Sequence, residues 1–270
     1  LHFQHPALTS RTLLVAISQS GESYEVIELL KKQSYLQLTI IGITNEAESS
    51  LARMATCPLL CKAGKEDMTS TKTFVTTYLV IYLLAQALKG NEVSEEVLNK
   101  VVKEVERQLA EQETYLSHSL SFLRGYRFIQ VIGRGTVFAT VSQTALMFME
   151  ATKTPASALL GGEFRHGPLE MVNPDFLCII YAHSQSGVYP QLVKLALDVL
   201  NFKGKVILVS DIASGIEDGG LLEINVCCEY SDWFAIPSII PVQLMVNAWA
   251  EEMNLVPGSF THGAKVTAIE

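Results

Sequence analysis

The tetrapeptide Ser-Gln-Ser-Gly stands twice in this chain, at 18–21 and again at 184–187, 166 positions apart. Each copy follows an apolar run and precedes a segment with helical spacing. The first run, Leu13–Ile17, holds five apolar residues and reads as a buried strand. Residues 22–33 then carry Val26, Ile27, Leu29 and Leu30 on one helical face. The second copy lies between an apolar run at 176–181 and a helical pattern at 190–202. The next apolar runs, at 39–44 and 206–211, begin 167 positions apart. Two features repeating at nearly one separation imply an internal duplication. The fold class that follows is α/β, with two tandem doubly wound halves, each a parallel sheet flanked by helices.

The turn itself has chemistry. The first N–H groups of a helix lack partners within the helix, and its dipole places partial positive charge beside them. A strand that runs through a small polar turn into a helix is therefore suited to an anion. Ser18, Ser20 and Ser23 add hydroxyls, Gln19 adds an amide, and Gly21 lets the backbone approach closely. The turn contains no lysine, so it is not the nucleotide P-loop pattern, and it suits a compact dianion such as a sugar phosphate. An ordinary serine-capped turn is an equal alternative on these residues alone.

Other segments carry weaker signals. A polar stretch at 63–72 opens a long apolar helix at 71–88, where Ser70 and Thr71 offer either ligand hydroxyls or plain capping. Residues 94–123 are amphipathic and read as a helical connector. A strand at 127–132 ends in Gly133-Arg134-Gly135-Thr136, and a mostly apolar helix follows to 151 with Glu150 near its end. Residues 161–168 pack three glycines, a proline and three ionisable groups into one short stretch. A strand at 222–227 and an apolar helix at 239–253 precede a polar tail at 257–270.

Composition excludes several classes. The 270 residues carry a formal net charge of −8 and no basic run, which argues against a nucleic-acid surface. No apolar stretch reaches the ~18–20 residues of a membrane span, and no signal peptide is evident. Five cysteines, an odd number, do not suggest a disulfide framework, and Cys57 and Cys61 lack a second pair that would complete a zinc site. A reducing, cytoplasmic location is expected. The first residue is Leu1 rather than Met, which suggests a trimmed start.

As a set, these pieces resemble the sugar isomerase (SIS) family, and within it the isomerase half of the glutamine:fructose-6-phosphate amidotransferases. The matching residues are Ser18-Gln19-Ser20-Gly21-Glu22, Ala63-Gly64 with Ser70-Thr71-Lys72, Gly133-Arg134-Gly135-Thr136, Gly162 through Pro168, and Lys265-Val266-Thr267. The resemblance implies a phosphate site formed by Ser18, Gln19, Ser20 and Ser23 with Ser70. It implies that Glu150 moves a proton between C1 and C2 in aldose–ketose isomerisation. His166 would assist ring opening in the site of a neighbouring subunit, and Lys265 would lie at the carbonyl end of the sugar, able to form a Schiff base. Each role suits its residue: an enediol needs one base over two carbons, histidine titrates near neutrality, and an amine condenses with a carbonyl. A solvated Glu150, a His166 that only orients its turn and a free Lys265 are the alternatives.

The chain also departs from the amidotransferase pattern. A lysine three residues before the catalytic glutamate and an acid seven before it are replaced by Met147 and Gln143. No glutaminase segment is present, and the first half is expected to lack its N-terminal strand, leaving a sheet edge open. The expected organisation is an incomplete SIS half at 1–92, a helical connector at 93–124, a second SIS half at 125–256 and an active-site tail at 257–270. The expected function is a phosphosugar isomerase or deaminase acting on an amino or amine-linked hexose 6-phosphate, without metal or organic cofactor. The expected assembly is a homodimer, with no nucleic-acid or membrane partner. A non-catalytic sugar-phosphate sensor and an Amadori-phosphate deglycase are the alternative readings.

Overall fold

The first serine turn follows β1 (Leu13–Ile17) and leads into α1 (Tyr24–Lys32), then β2 (Thr39–Thr44), α2 (Ser50–Met54), β3 (Cys57–Leu60) and the long α3 (Lys72–Leu88). The computed structural model describes residues 8–262. They cluster into two units, one built on the residues up to Glu92 together with those from Phe260, the other on Val93–Ser259. In the first unit the strands lie in the order β1-β2-β3, all parallel, with Leu13 opposite Thr39 and Ile17 opposite Ile43. Each crossover between these parallel neighbours contains the intervening helix, as parallel pairing requires.

β1 is not buried on both faces, contrary to the reading of its apolar run. Leu14 and Ala16 face a core that includes Ile27, Leu30 and Leu51. Leu13, Val15 and Ile17 point the other way and are 41–45% exposed. The reason is position. Among the described residues β1 pairs with β2 alone, and α3 packs Val80 and Leu84 over Ile41, Ile43 and Cys61 of the strands beside it. Five consecutive apolar residues cannot by themselves report whether a strand is covered on both sides.

The second unit begins with α4 (Glu95–Ala110) and α5 (Glu113–Leu123), both packed on α9 (Ala235–Glu252). The stretch expected as a connector is thus part of this unit's helical layer. β4 (Ile129–Gly133), α6 (Phe138–Met147), β5 (Ala156–Leu160), α7 (Gly161–Arg165), β6 (Leu177–Ala182), α8 (Tyr189–Asn201), β7 (Lys205–Ser210) and β8 (Leu221–Asn225) complete it. The sheet is parallel throughout, in the order β5-β4-β6-β7-β8. Its central strands β4, β6 and β7 are buried except at Lys205 and are mostly apolar, as expected where helices cover both faces. Phe164, Leu192, Leu195 and Val199 pack over Ile180 and Leu208 on one side. β5 has no counterpart among the predicted strands, because Ala156-Ser157-Ala158 carries little β preference. α9 starts four residues earlier than expected. Pro237 sits in its first turn, where the missing N–H costs nothing, whereas Pro241 lies inside the helix.

The duplication is visible in the topology. β1-β2-β3 and β6-β7-β8 share strand order and direction. Both the serine turns and the starts of β2 and β7 are offset by 166 positions. Two further ties hold the second unit's edge. Glu104 of α4 is buried, accepts from Arg107, from Gln108 at 2.7 Å and from the Cys227 N–H at 3.0 Å, while Gln108 donates to the Asn225 carbonyl at 2.9 Å. These bonds fix α4 to the end of β8.

Candidate active site

The residues after β1 form a closely bonded turn. Ser18 donates its N–H to the Ile43 carbonyl at 3.0 Å, which continues the ladder one residue past β1. Its hydroxyl lies 2.8 Å from that of Ser23 and accepts from the Gly21 N–H at 3.1 Å. Ser20 accepts from the Glu22 N–H at 3.2 Å. Ser23 is the N-cap of α1 but makes no side-chain cap bond to that helix. The first turn of α1 therefore keeps the open, positive end that suits an anion.

Gly21 is demanded twice over. Its φ is +67°, and a Cβ there would fall 2.1 Å from Ser49 Oγ. Ser49 caps α2 by accepting from the Ala52 N–H at 3.2 Å, and the Gly21 carbonyl accepts from the Leu51 N–H at 3.0 Å. Glu22 turns away from the turn and accepts from the Ser50 N–H at 2.7 Å, a bond that holds its carboxyl below the usual carboxylate range. The acid nearest the turn is thereby drawn off toward α2.

Ser70 belongs to the same end of the sheet, and the connection is Asn45. Its N–H donates to the Gln19 carbonyl at 2.9 Å. Its side chain accepts from the Ala63 N–H at 2.8 Å and donates to the Gly64 carbonyl at 3.0 Å. One residue after β2 thus ties the serine turn to the 63–72 loop. The start of α3 is capped by a residue that spacing did not single out. Glu66 accepts from the Thr71 N–H at 3.0 Å and the Thr73 N–H at 2.9 Å, and Thr73 lies 2.7 Å from the Ser70 hydroxyl. A carboxylate already occupies this helix terminus, so Ser70 contributes a hydroxyl and not an open helix end. The acid at position 66 was the available signal, since Glu in that place completes a cap.

Glu150 and His166 lie in the second unit. α6 passes directly into a π-helical turn, Phe148–Thr152, with Glu150 at its centre. Such turns widen the helix and are concentrated at functional positions. Glu150 Oε2 is shielded from solvent. Its carbonyl accepts from Lys153, which also donates to the Ser259 carbonyl at 2.8 Å. Because α6 runs back antiparallel to the strands, Glu150 lies near the amino end of β5. Pro155, just before β5, accepts from the Ile129 N–H at the start of β4.

His166 lies at the other end of β5. It is exposed, sits just past α7, and donates its N–H to the Glu163 carbonyl at 3.0 Å. Glu163 in turn accepts from the Leu160 N–H at 3.1 Å, which anchors α7 to the strand. A strand rises about 3.3 Å per residue, so roughly 13 Å of β5 separates the ends where Glu150 and His166 stand. Lys265 lies outside the described residues.

The second serine turn is built differently. Ser184 donates its N–H to Asp211 at 2.6 Å and its hydroxyl to the same carboxylate. His183, buried, donates Nε2–H to the Cys228 carbonyl at 2.9 Å and accepts the Gln185 N–H at Nδ1, 3.2 Å away. Elsewhere in this unit a largely apolar cavity of about 440 Å³ lies between α4 and the loop before α9, against Val97, Val101, Trp233 and Pro237. It contains none of the candidate residues. Among the described residues no group of three or more His, Cys, Asp or Glu is arranged to hold a metal ion. None of the described helices is long and apolar enough to cross a membrane.

Comparison with known proteins gives the same frame. The glutamine–fructose-6-phosphate aminotransferase (isomerizing) of Aeropyrum pernix is 29% identical over 228 residues, covering 78% of this chain. The chain spans 36% of that relative's length. The C-terminal domain of the glucosamine-fructose-6-phosphate aminotransferase from Francisella tularensis superposes with a TM-score of 0.83 at 22% identity, covering 94% of this chain and 75% of that one. A glucosamine-6-phosphate deaminase from Thermotoga maritima gives 0.75 at 23% identity, covering 97% and 77%. The SIS domain pattern itself matches residues 1–87 and 122–247, most of both units, and the chain belongs to the SIS domain family.

Proposed function

We propose that this chain is a phosphosugar isomerase or deaminase acting on an amino or amine-linked hexose 6-phosphate, of the glucosamine 6-phosphate or fructose 6-phosphate type, through an enediol intermediate. The observation that carries the reading is Glu150 in a π-helical turn with one carboxylate oxygen withdrawn from water. A single base held in this way can take the proton from one carbon and return it to its neighbour. The Ser18–Ser23 turn would hold the phosphate through its hydroxyls and the start of α1, with Ser70 from the adjoining loop. His166 would open the sugar ring, and Lys265 would attend the carbonyl end. The names of the aminotransferase and deaminase relatives agree with the substrate class.

The positions of Glu150 and His166 support a dimeric site. A sugar's C2 and ring oxygen are neighbours, but these two side chains occupy opposite ends of β5. The histidine that serves a given Glu150 would then come from a second copy, a closed two-fold arrangement in which each protomer completes the other.

The test follows solvent deuterium entering C1 or C2 of glucosamine 6-phosphate and of fructose 6-phosphate by NMR, with Glu150→Gln alongside. Exchange in the parent and none in the variant is expected, and release of ammonia would separate deaminase from isomerase. Saturable binding of both sugars with no exchange in the parent would replace this reading with that of a sugar-phosphate sensor.

A further inference from the structure

The duplication sets up an internal comparison. Asn45 follows β2 and Asp211 follows β7 at the same 166-residue offset that relates the two serine turns. The two side chains differ by one amide for one carboxylate, and they point in different directions. Asn45 turns outward, with its oxygen on the Ala63 N–H and its nitrogen on the Gly64 carbonyl. Asp211 turns inward, onto the N–H and hydroxyl of Ser184, the equivalent of Ser18.

We propose that the residue after β2 and after β7 decides which serine turn accepts an anion: Asn45 leaves the first turn open, and Asp211 fills the second with the chain's own carboxylate. The inference rests on the reading of the first turn as a phosphate site and goes beyond it by naming a specificity-determining residue outside that turn.

The physical basis is direct. Serine N–H and O–H donors that face a carboxylate at hydrogen-bond distance have no capacity left for a phosphate, and the carboxylate's charge repels a dianion. His183 lies 3.6 Å from Asp211, but its Nδ1 faces the Gln185 N–H and its Nε2 faces the Cys228 carbonyl, so its hydrogen bonds go to those groups and not to the carboxylate. Ser186 Oγ is buried without a hydrogen-bond partner among the described residues, which is what a turn built for an outside acceptor and closed before reaching it would leave behind. In the first turn the corresponding charge is absent. Asn45 requires its own amide nitrogen to hold Gly64, and an aspartate there would lose that donor and be free to swing toward Ser18. The turns differ at two more places, since Val188 stands where the first has Glu22 and Tyr189 where it has Ser23, so the second turn lacks that serine hydroxyl.

Calorimetric titration with fructose 6-phosphate and with inorganic phosphate tests the idea on the parent, Asn45→Asp, Asn45→Ala and Asp211→Asn, with circular dichroism to verify that each is folded. The parent is expected to take one equivalent per chain. Asn45→Asp should weaken binding at least tenfold, whereas Asn45→Ala, which loses the loop bonds but adds no charge, should weaken it by no more than a few-fold. Asp211→Asn should admit a second equivalent of inorganic phosphate. Equal losses in Asn45→Asp and Asn45→Ala would assign the residue a loop-holding role and overturn the proposal, as would a stoichiometry of one for Asp211→Asn. A parent that binds neither probe would overturn the phosphosugar reading itself, and this inference with it.

Discussion

The hydroxyls of Ser18 and Ser23 lie 2.8 Å apart, across a turn in which Ser23 caps nothing in its own helix. An N-cap serine ordinarily accepts from a helix N–H one turn ahead. Here it is held against the strand side, and both hydroxyls are gathered at the open end of α1.

This pairing makes a first prediction. Ser18→Ala and Ser23→Ala should each weaken phosphosugar binding by about 1.5–3 kcal/mol, the value of a hydrogen bond to a charged group. Ser23→Ala should leave the melting temperature nearly unchanged, since α1 loses no cap. Titration calorimetry and thermal unfolding on the same samples check both statements. A large drop in stability with unaltered affinity would assign the serines a purely structural role.

The separation of Glu150 and His166 along β5 makes a second. Glu150→Gln and His166→Asn should each be inactive alone. Mixed in equal amounts and allowed to exchange subunits, they should recover about a quarter of parental activity, because half the dimers would contain one site with both residues intact. No recovery, under conditions where exchange is verified by tagged subunits, would show that both residues act within one protomer.

Glu104 makes a third. Its side chain is 5% exposed and is held by Arg107, Gln108 and the Cys227 N–H. Glu104→Ala takes one carboxylate from Arg107, which keeps Glu111, and leaves the Cys227 N–H without its acceptor, at a cost of about 1–3 kcal/mol. At roughly 2–4 °C per kcal/mol for a chain of this size, the melting temperature should fall by about 5 °C. Glu104→Gln, which keeps an acceptor, should lose less. Phosphosugar affinity at the first turn should not follow the change in stability.

The cysteines make a fourth. Cys57 and Cys227 are exposed, whereas Cys61 and Cys178 are buried. Burial pushes the Cys228 thiol up to about 11 from its ordinary 9.0. A thiol raised in the folded state stays protonated where the unfolded chain has already ionised. Its contribution to stability is therefore complete below pH ~9 and is lost as the pH rises through ~11. Iodoacetamide at neutral pH should modify Cys57 and Cys227 first, Cys228 only in more alkaline solution, and Cys178 only on unfolding. Peptide mapping after graded exposure reads the order directly.

The residues of the chain determine much of this unaided. The paired Ser-Gln-Ser-Gly turns, their flanking apolar runs and their common separation specify two parallel α/β units, because strand and helix periodicities and turn chemistry are local properties of a sequence. The Ser18–Ser23 turn was legible for the same reason, as was the placement of Glu150 near a helix end. Tertiary structure decided the rest. Whether β1 is covered on its Val15 face depends on where α3 ends its packing, and no pattern within β1 reports that. Glu66 as the cap of α3, Asn45 as the link between two loops and Asp211 as the occupant of the second turn each involve partners 5 to 27 residues away in the chain. Their side chains are ordinary polar residues until the strands bring their ends together, and only then do one amide and one carboxylate give two copies of the same tetrapeptide different surroundings.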